Sequence, residues 1–294
     1  MDSENNDNSV IRVIINADDL GLSRGNNIGI VNAMQNGLVS STSLMACGIE
    51  FDHAVELLLK AQIQNVGVHL VLDEERPVCD PLSISSITTP SGVFFNRGTL
   101  LKKLLFSNQI NEEHVYAEFR AQVQKIIDSG LTVTHLDGHG HVHVYPKVNA
   151  IVSRLADEFS IRRIRFPAER FFYMDLKNFN LKKYINKVIV TSFSLSARKQ
   201  FLKRNSIMPD GFMGMLFGGN LNLKNLEKVF VNMPSGSCVE IMTHPGATDD
   251  KREQIYGHWN YHWTDELQAV LSRSRNDIRQ MYNCDIITYE ELGN

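Results

Sequence analysis

The sequence predicts an α/β fold: a closed or nearly closed barrel of parallel strands with helices outside. Three observations predict it. Short β-rich apolar runs alternate with helical patterns, about six to eight times along the chain, and that alternation makes right-handed βαβ units. No GxGxxG follows the first run, so a dinucleotide site is unsupported. Asp18-Asp19, His69, His139, Arg165 and His244 all fall in or just after predicted strands, and parallel α/β folds carry their sites at that edge. An open doubly wound sheet is the second choice.

Taken in order, residues 1–9 are polar and read as disordered, and 10–294 as one catalytic domain. Ile11–Ile15 is a strand ending at Asn16-Ala17-Asp18-Asp19. Ile28, Val31, Ala33 and Met34 repeat near the helical period, and Gly37 is the expected C-cap. Leu44–Ala46 is a weak strand, Ala54–Ala61 a helix, and Val66–Leu72 an apolar strand with one polar intruder, His69. Residues 73–110 hold prolines, serines and threonines without a period, and read as an insertion that could serve as a lid. Glu112–Asp128 is an amphipathic helix closed by Gly130, and Thr132–Leu136 a strand. Val148–Phe159 is a helix and Ile161–Phe166 a strand. Residues 170–235 are basic in patches and helical, with a glycine- and methionine-rich loop over 211–219. Cys238–Met242 is a buried strand, Asp265–Tyr282 a helix, and Asp285–Thr288 a last strand.

Composition narrows the function classes. The chain has 294 residues and a net charge of −3, so nucleic acid is not an expected partner, and no polybasic cluster points to an anionic membrane. No apolar run is long enough for a membrane span, and no signal peptide is expected. Four widely spaced cysteines without a CxxC pair suit a reducing compartment, by default the cytoplasm. The base-rate expectation for assembly is a homodimer.

The chemistry concentrates in Thr134–Pro146, THLDGHGHVHVYP, which holds four of the ten histidines. His135, Asp137, His139, His141 and His143 are odd-numbered, so an extended backbone projects them from one face. That face would span roughly 26 Å, too far for one ion to take all five; Gly138 and Gly140 let the backbone turn. A titratable face on a buried strand is costly unless a metal or hydrogen bonds compensate. Asp18-Asp19 read alone suits either a cation site or an Asx turn and helix cap. One aspartate and two histidines form a common hydrolase metal set with positions left for water and substrate.

The motifs NADDLGLS, VGVHL, THLDGHGHVHVYP and EIMTHPG, in this order between Ile11 and Tyr289, resemble the YdjC-like carbohydrate deacetylases. That family includes chitooligosaccharide deacetylases and hopanoid-biosynthesis deacetylases. Its commoner forms are NADDFG and HLDSHHHVH; here Leu20 replaces the aromatic residue, and Gly138 and Gly140 replace Ser and His. The resemblance implies a distorted (β/α) barrel and hydrolysis of an N-acetyl group on an N-acetylglucosamine-containing sugar. It also implies a divalent ion, magnesium, held by Asp19, His69 and His139, with Asp18 as catalytic base. Similarity to the wider polysaccharide deacetylases implies that Arg165, in Arg165-Phe166-Pro167, orients Asp18, and that His244 protonates the leaving amine. By donor type alone, two imidazoles and a carboxylate suit zinc, manganese or cobalt better. Asp137, His141 and His143 are expected to bond the ligands or the substrate; His135 has no assigned role. Trp259, Tyr261 and Trp263 could stack on a sugar or merely pack an interhelical loop. Two other readings stay open: a metal-dependent amidohydrolase or phosphoesterase, and a non-catalytic sugar- or metal-binding protein.

Overall fold

A computed structural model of the chain describes residues 10–169 and 181–293. The expected disorder of 1–9, and the stretch 170–180 of the basic region, lie outside the described residues. Seven parallel strands are β1 (Ile11–Leu20), β2 (Ser41–Leu44), β3 (Asn65–Leu70), β4 (Thr132–Gly138), β5 (Arg163–Ile164), β6 (Gly211–Met213) and β7 (Cys238–Thr243). They hydrogen-bond in the order β5-β4-β3-β2-β1-β7-β6. A parallel bridge between Arg163 and Ile207 joins β5 to the chain entering β6. Chain order is therefore kept around the ring, and the sheet is a distorted barrel with helices outside, as expected. A short β8 (Cys284–Ile286) pairs with Ile11–Val13 of β1, below the point where β2 begins to pair at Asn16.

β1 is buried along nearly its whole length, as a strand covered on both faces must be. It runs five residues further than Ile15 and carries Asp18 and Asp19 inside its last turn of pleat. β2 lies earlier than expected and reads STSL, a polar sequence that is entirely buried. Its hydroxyls are satisfied inside the barrel: Thr42 Oγ1 donates to the Ala17 carbonyl at 2.8 Å and Ser43 Oγ to Asp137 at 2.6 Å. That satisfaction is why a strand with so weak an apolar signal forms there. Register then aligns chemistry: His69 on β3 sits directly beside Asp137 on β4.

The outer layer follows the helical periods. α1 (Arg24–Asn36) is capped by Ser23, which accepts from Asn26 N. α2 is Phe51–Lys60, and α4 (Glu112–Asp128) buries Val115, Phe119, Val123 and Ile126 against the sheet; each such side chain contributes about 1.5–3 kcal/mol. The 73–110 stretch contains a helix, α3 (Arg97–Phe106), capped by Asn96, and a Thr88–Phe94 antiparallel bridge. α5 is Val148–Glu158, α6 Leu181–Leu202 and α7 Leu223–Val231. The 211–219 segment, expected as loop, begins with β6, because Phe212 and Met213 bury against β7. α8 (Asp250–Tyr256) was not anticipated. The helix expected over Asp265–Tyr282 is two, α9 (Trp263–Leu271) and α10 (Arg275–Tyr282). Ser274 breaks it by forming a capping box with Asp277.

Candidate active site

The strand ends converge on one buried polar cluster. Asp18, Asp19, His69, Asp137, Arg165 and Glu240 are each at most 2% exposed. Arg165 leaves β5 and forks onto Asp18, Nη1 to Oδ2 at 2.7 Å and Nη2 to Oδ1 at 2.6 Å. Its Nε donates to Glu240 Oε1 at 2.8 Å, and Nη2 lies 2.9 Å from Asp137 Oδ2. Asn16 Nδ2 holds Asp18 Oδ1 at 2.8 Å. One guanidinium thus faces three carboxylates, with a fourth, Asp19, beside them.

Asp19 turns away from its neighbour because its backbone is left-handed, φ 63°. That break sends successive carboxylates in different directions: Asp18 to Arg165, Asp19 to the histidines. Asp19 Oδ1 is 3.0 Å from His139 Nδ1 and 3.4 Å from His69 Nε2, while its Oδ2 is buried with no hydrogen-bond partner. His69 Nδ1 meets Asp137 Oδ1 at 2.8 Å. The ligating atoms of Asp19, His69 and His139 all lie within 4.8 Å of one another. Burial drives the His69 pKa down, but Asp137 and Asp18 outweigh it and push it up to about 10. Burial likewise raises Asp19, and His139 and His69 outweigh that to hold it well below its usual range. Positive charge is favoured between these groups, whether a proton or a cation carries it.

These residues fit a divalent cation. An orphaned buried carboxylate oxygen, two imidazoles and a local excess of negative charge are what such an ion satisfies. His69 then has the usual arrangement of a ligating histidine, with the far nitrogen on a carboxylate. A second set, Asp18, His69 and Asp137, also lies within 4.8 Å. It shares His69 with the first set, and Asp137 is already bonded to Ser43, His69 and Arg165. Among the described residues the two sets therefore compete for His69, and the first keeps its donors free for one ion.

The histidine segment does not stay extended. β4 ends at Gly138, and His139–Val144 is a 3₁₀ segment with Gly140 at φ 55° and His141 at φ 60°. A Cβ at Gly140 would stand 2.6 Å from the Arg97 guanidinium. The turn separates the five side chains that an extended backbone would align. His139 goes to the metal-type cluster. His141 packs edge-on against Phe212 at 5.4 Å, and His143 Nε2 meets the Arg165 carbonyl at 3.2 Å. Burial, reinforced by Arg165, holds His141 well below its usual pKa; burial also takes His143 down to about 3. His135 stacks on Tyr289 at 3.6 Å and contacts Ser43 Oγ at 3.2 Å. Gly67 gives it room, since a Cβ there would lie 2.3 Å from its ring.

His244 follows β7. Its backbone N–H donates to Glu266 Oε2 at 2.5 Å, and its Nδ1 stands 3.8 Å from the same oxygen. Burial lowers its pKa, but Glu266 and then Asp19 and Asp18 raise it above the usual value. Trp259, partly buried, lies 5.4 Å from the His139 ring, and Tyr261 4.9 Å from His244. Trp263 is buried, with Arg252 4.1 Å over its ring; it packs and does not face the site.

Sequence reading missed Glu240, Ser43, Glu266 and Tyr289. Glu240 Oε2 accepts from Tyr289 Oη at 2.5 Å, and burial pushes Glu240 up to about 7 against the pull of Arg165. Glu240 lay inside the EIMTHPG motif, and a carboxylate in a buried strand was the signal that could have found it.

A family model described as YdjC-like protein matches residues 12–280. A carbohydrate deacetylase of Brevibacillus brevis is 30% identical over 285 residues, covering 96% of this chain and all of that protein. A carbohydrate deacetylase of Danio rerio is 28% identical, covering 80% of this chain and 82% of that one. A crystal structure from Enterococcus faecalis, of a protein provisionally named for cellobiose-phosphate cleavage, superposes with TM-score 0.73 at 22% identity. The match covers 96% of this chain and 98% of that one, and shows the same fold.

Proposed function

The chain belongs to the YdjC-like protein family, and from that premise we propose that it is a metal-dependent hydrolase removing the acetyl group from an N-acetylated sugar. The carrying observation is the convergence of Asp19, His69 and His139 beside an Asp18 clamped by Arg165. The names of the relatives support a carbohydrate substrate and removal of an acetyl group.

Asp19, His69 and His139 would hold one divalent cation, which when bound supplies Lewis acidity for the amide carbonyl and acidifies a water. The resemblance points to magnesium; the two imidazoles favour a transition ion over it. Asp18 is the base. Among the described hydrogen bonds its Oδ2 accepts only from Arg165 Nη1, so it keeps a lone pair for the water proton. The fork of Arg165 keeps that oxygen from rotating away. His244, whose pKa Glu266 raises against the effect of burial, gives a proton to the departing nitrogen, without which the amide would be a very poor leaving group. Asp137 orients the His69 ring, and Trp259 offers an apolar face to a sugar. The four free cysteines suit action in the cytoplasm. Among the described residues, no helix is long and apolar enough to cross a membrane.

The test is acetate release from N,N′-diacetylchitobiose, with and without chelator and metal add-back, beside Asp18→Asn. Chelator-sensitive release, restored by one ion per chain and absent in a metal-replete Asp18→Asn protein, is expected. Full activity of that variant would remove Asp18 from the role of base. Two ions per chain would favour a phosphoesterase or amidohydrolase instead.

A further inference from the structure

α6 is apolar on one face more than the fold needs. Its inward face, Lys187, Val190, Ser194, Ala197 and Phe201, is buried and packs toward α5 and the 3₁₀ segment of the site. Its outward face carries Leu181, Ile185, Val188, Leu195 and Leu202, between 44% and 60% exposed. Their spacings of four, three, seven and seven residues put them in one stripe along the helix. Over 22 residues that stripe runs about 33 Å. Isolated exposed leucines are ordinary; five exposed apolar side chains on one helix face, with Ser192, Ser196 and Lys199 set among them, are not.

Charge says what the stripe is fitted to. Residues 181–204 hold seven lysines and arginines and no aspartate or glutamate; of these Lys187 is buried on the inward face, Lys183 donates to the Gly218 carbonyl and Arg204 pairs with Asp157. Lys182, Arg198, Lys199 and Lys203 are exposed around the stripe. Pairing this face with a second copy would bring two wholly basic helices together with no acid to offset them. A negatively charged partner suits it.

We propose that the outward face of α6 docks this protein on an anionic lipid surface. The apolar stripe enters the headgroup region and the lysines meet lipid phosphates. Docking there needs no spanning segment and does not depend on the catalytic reading.

The experiment is co-sedimentation of the purified full chain with vesicles of phosphatidylcholine alone and of phosphatidylcholine mixed with phosphatidylglycerol. The protein should pellet with the anionic vesicles, stay in solution with the neutral ones, and be released by raised salt. Each lysine near the surface is worth about fivefold in affinity, so Lys182→Glu/Lys199→Glu/Lys203→Glu should weaken binding at least about a hundredfold. Its melting temperature should hold, since all three side chains are exposed. Ile185→Ser/Val188→Ser should also weaken binding. Failure of the wild-type protein to pellet with anionic vesicles, or equal pelleting of the charge-reversed protein, would overturn the proposal. So would a wild-type dimer in sedimentation velocity that Ile185→Ser/Val188→Ser turns into a monomer, because a second copy would then cover the face.

Discussion

Arg165→Lys separates the charge of the buried cluster from its geometry. The guanidinium reaches Asp18 at 2.6 and 2.7 Å, Glu240 at 2.7 and 2.8 Å and Asp137 at 2.9 Å. A lysine keeps the positive charge but offers one nitrogen, with three donors at a point. It cannot hold both oxygens of Asp18 and also reach Glu240 from the Nε side. Two charge-assisted hydrogen bonds are lost, at about 1.5–3 kcal/mol each. The expected destabilisation is about 3–5 kcal/mol, the range for damaging a buried ion pair. For a chain of this size that lowers the melting temperature by on the order of 10 °C. Asp18 loses its fixed orientation, which should lower kcat by about a hundredfold. Metal content should not change, because Arg165 touches none of Asp19, His69 and His139 in the described contacts. The assays are differential scanning calorimetry, elemental analysis and acetate release on the same preparation. A melting temperature within a degree or two of wild type, with kcat intact, would refute the assignment of Arg165 as the clamp on Asp18. Loss of bound metal would show that Arg165 shapes the ligand set as well.

Three further outcomes follow from the same geometry. His69→Ala should lose the bound ion by elemental analysis while Asp18→Asn keeps it, and equal metal content in both would take His69 out of the ligand set. Trp263→Leu should cost about 2–4 kcal/mol of stability because its ring is buried, whereas Trp259→Leu should raise KM for a sugar with little change in melting temperature; the reverse pattern would exchange their roles. Glu169 is buried, and burial lifts its pKa from 4.5 to about 7 against the pull of Lys187 and the backbone amides of residues 214–216. A folded pKa above the unfolded one binds the extra proton in the native state. Its contribution is therefore present below about pH 4.5 and lost as pH rises through about 7. Denaturant melts across that window should show a loss on the order of 3 kcal/mol that Glu169→Gln abolishes; an identical pH slope in both proteins would contradict it.

Much of the site was legible because its residues sit where a local pattern breaks. His69 interrupts an apolar run, Asp18 and Asp19 end one, and Arg165 and His244 each close a strand. Hydrophobic period and strand-end position are local properties, readable without knowing any contact. The barrel was legible for the same reason, since alternating periods permit few topologies. Three kinds of feature were not. The STSL strand, β2, was expected only weakly and too late, at Leu44–Ala46, and it starts at Ser41 because its hydroxyls meet partners such as Asp137, 94 residues away. The single helix expected near the C-terminus was split by a capping box, a choice between local hydrogen bonds and helical period. The histidines of THLDGHGHVHVYP look equivalent by spacing, and left-handed backbone at Gly140 and His141 is what tells them apart.

By itself the sequence determined a parallel α/β barrel and the residue types that gather at its upper edge, because burial period and strand-end chemistry are written locally. Only the tertiary structure decided which of them meet. It set Asp18 on Arg165 across 147 residues and Asp19 on His139 across 120. It brought Glu240, Ser43 and Glu266 in behind them to satisfy buried donors. The reason is that charge pairing and hydrogen-bond satisfaction depend on distances of a few ångströms, and those follow from strand register and backbone turns rather than from separation along the chain.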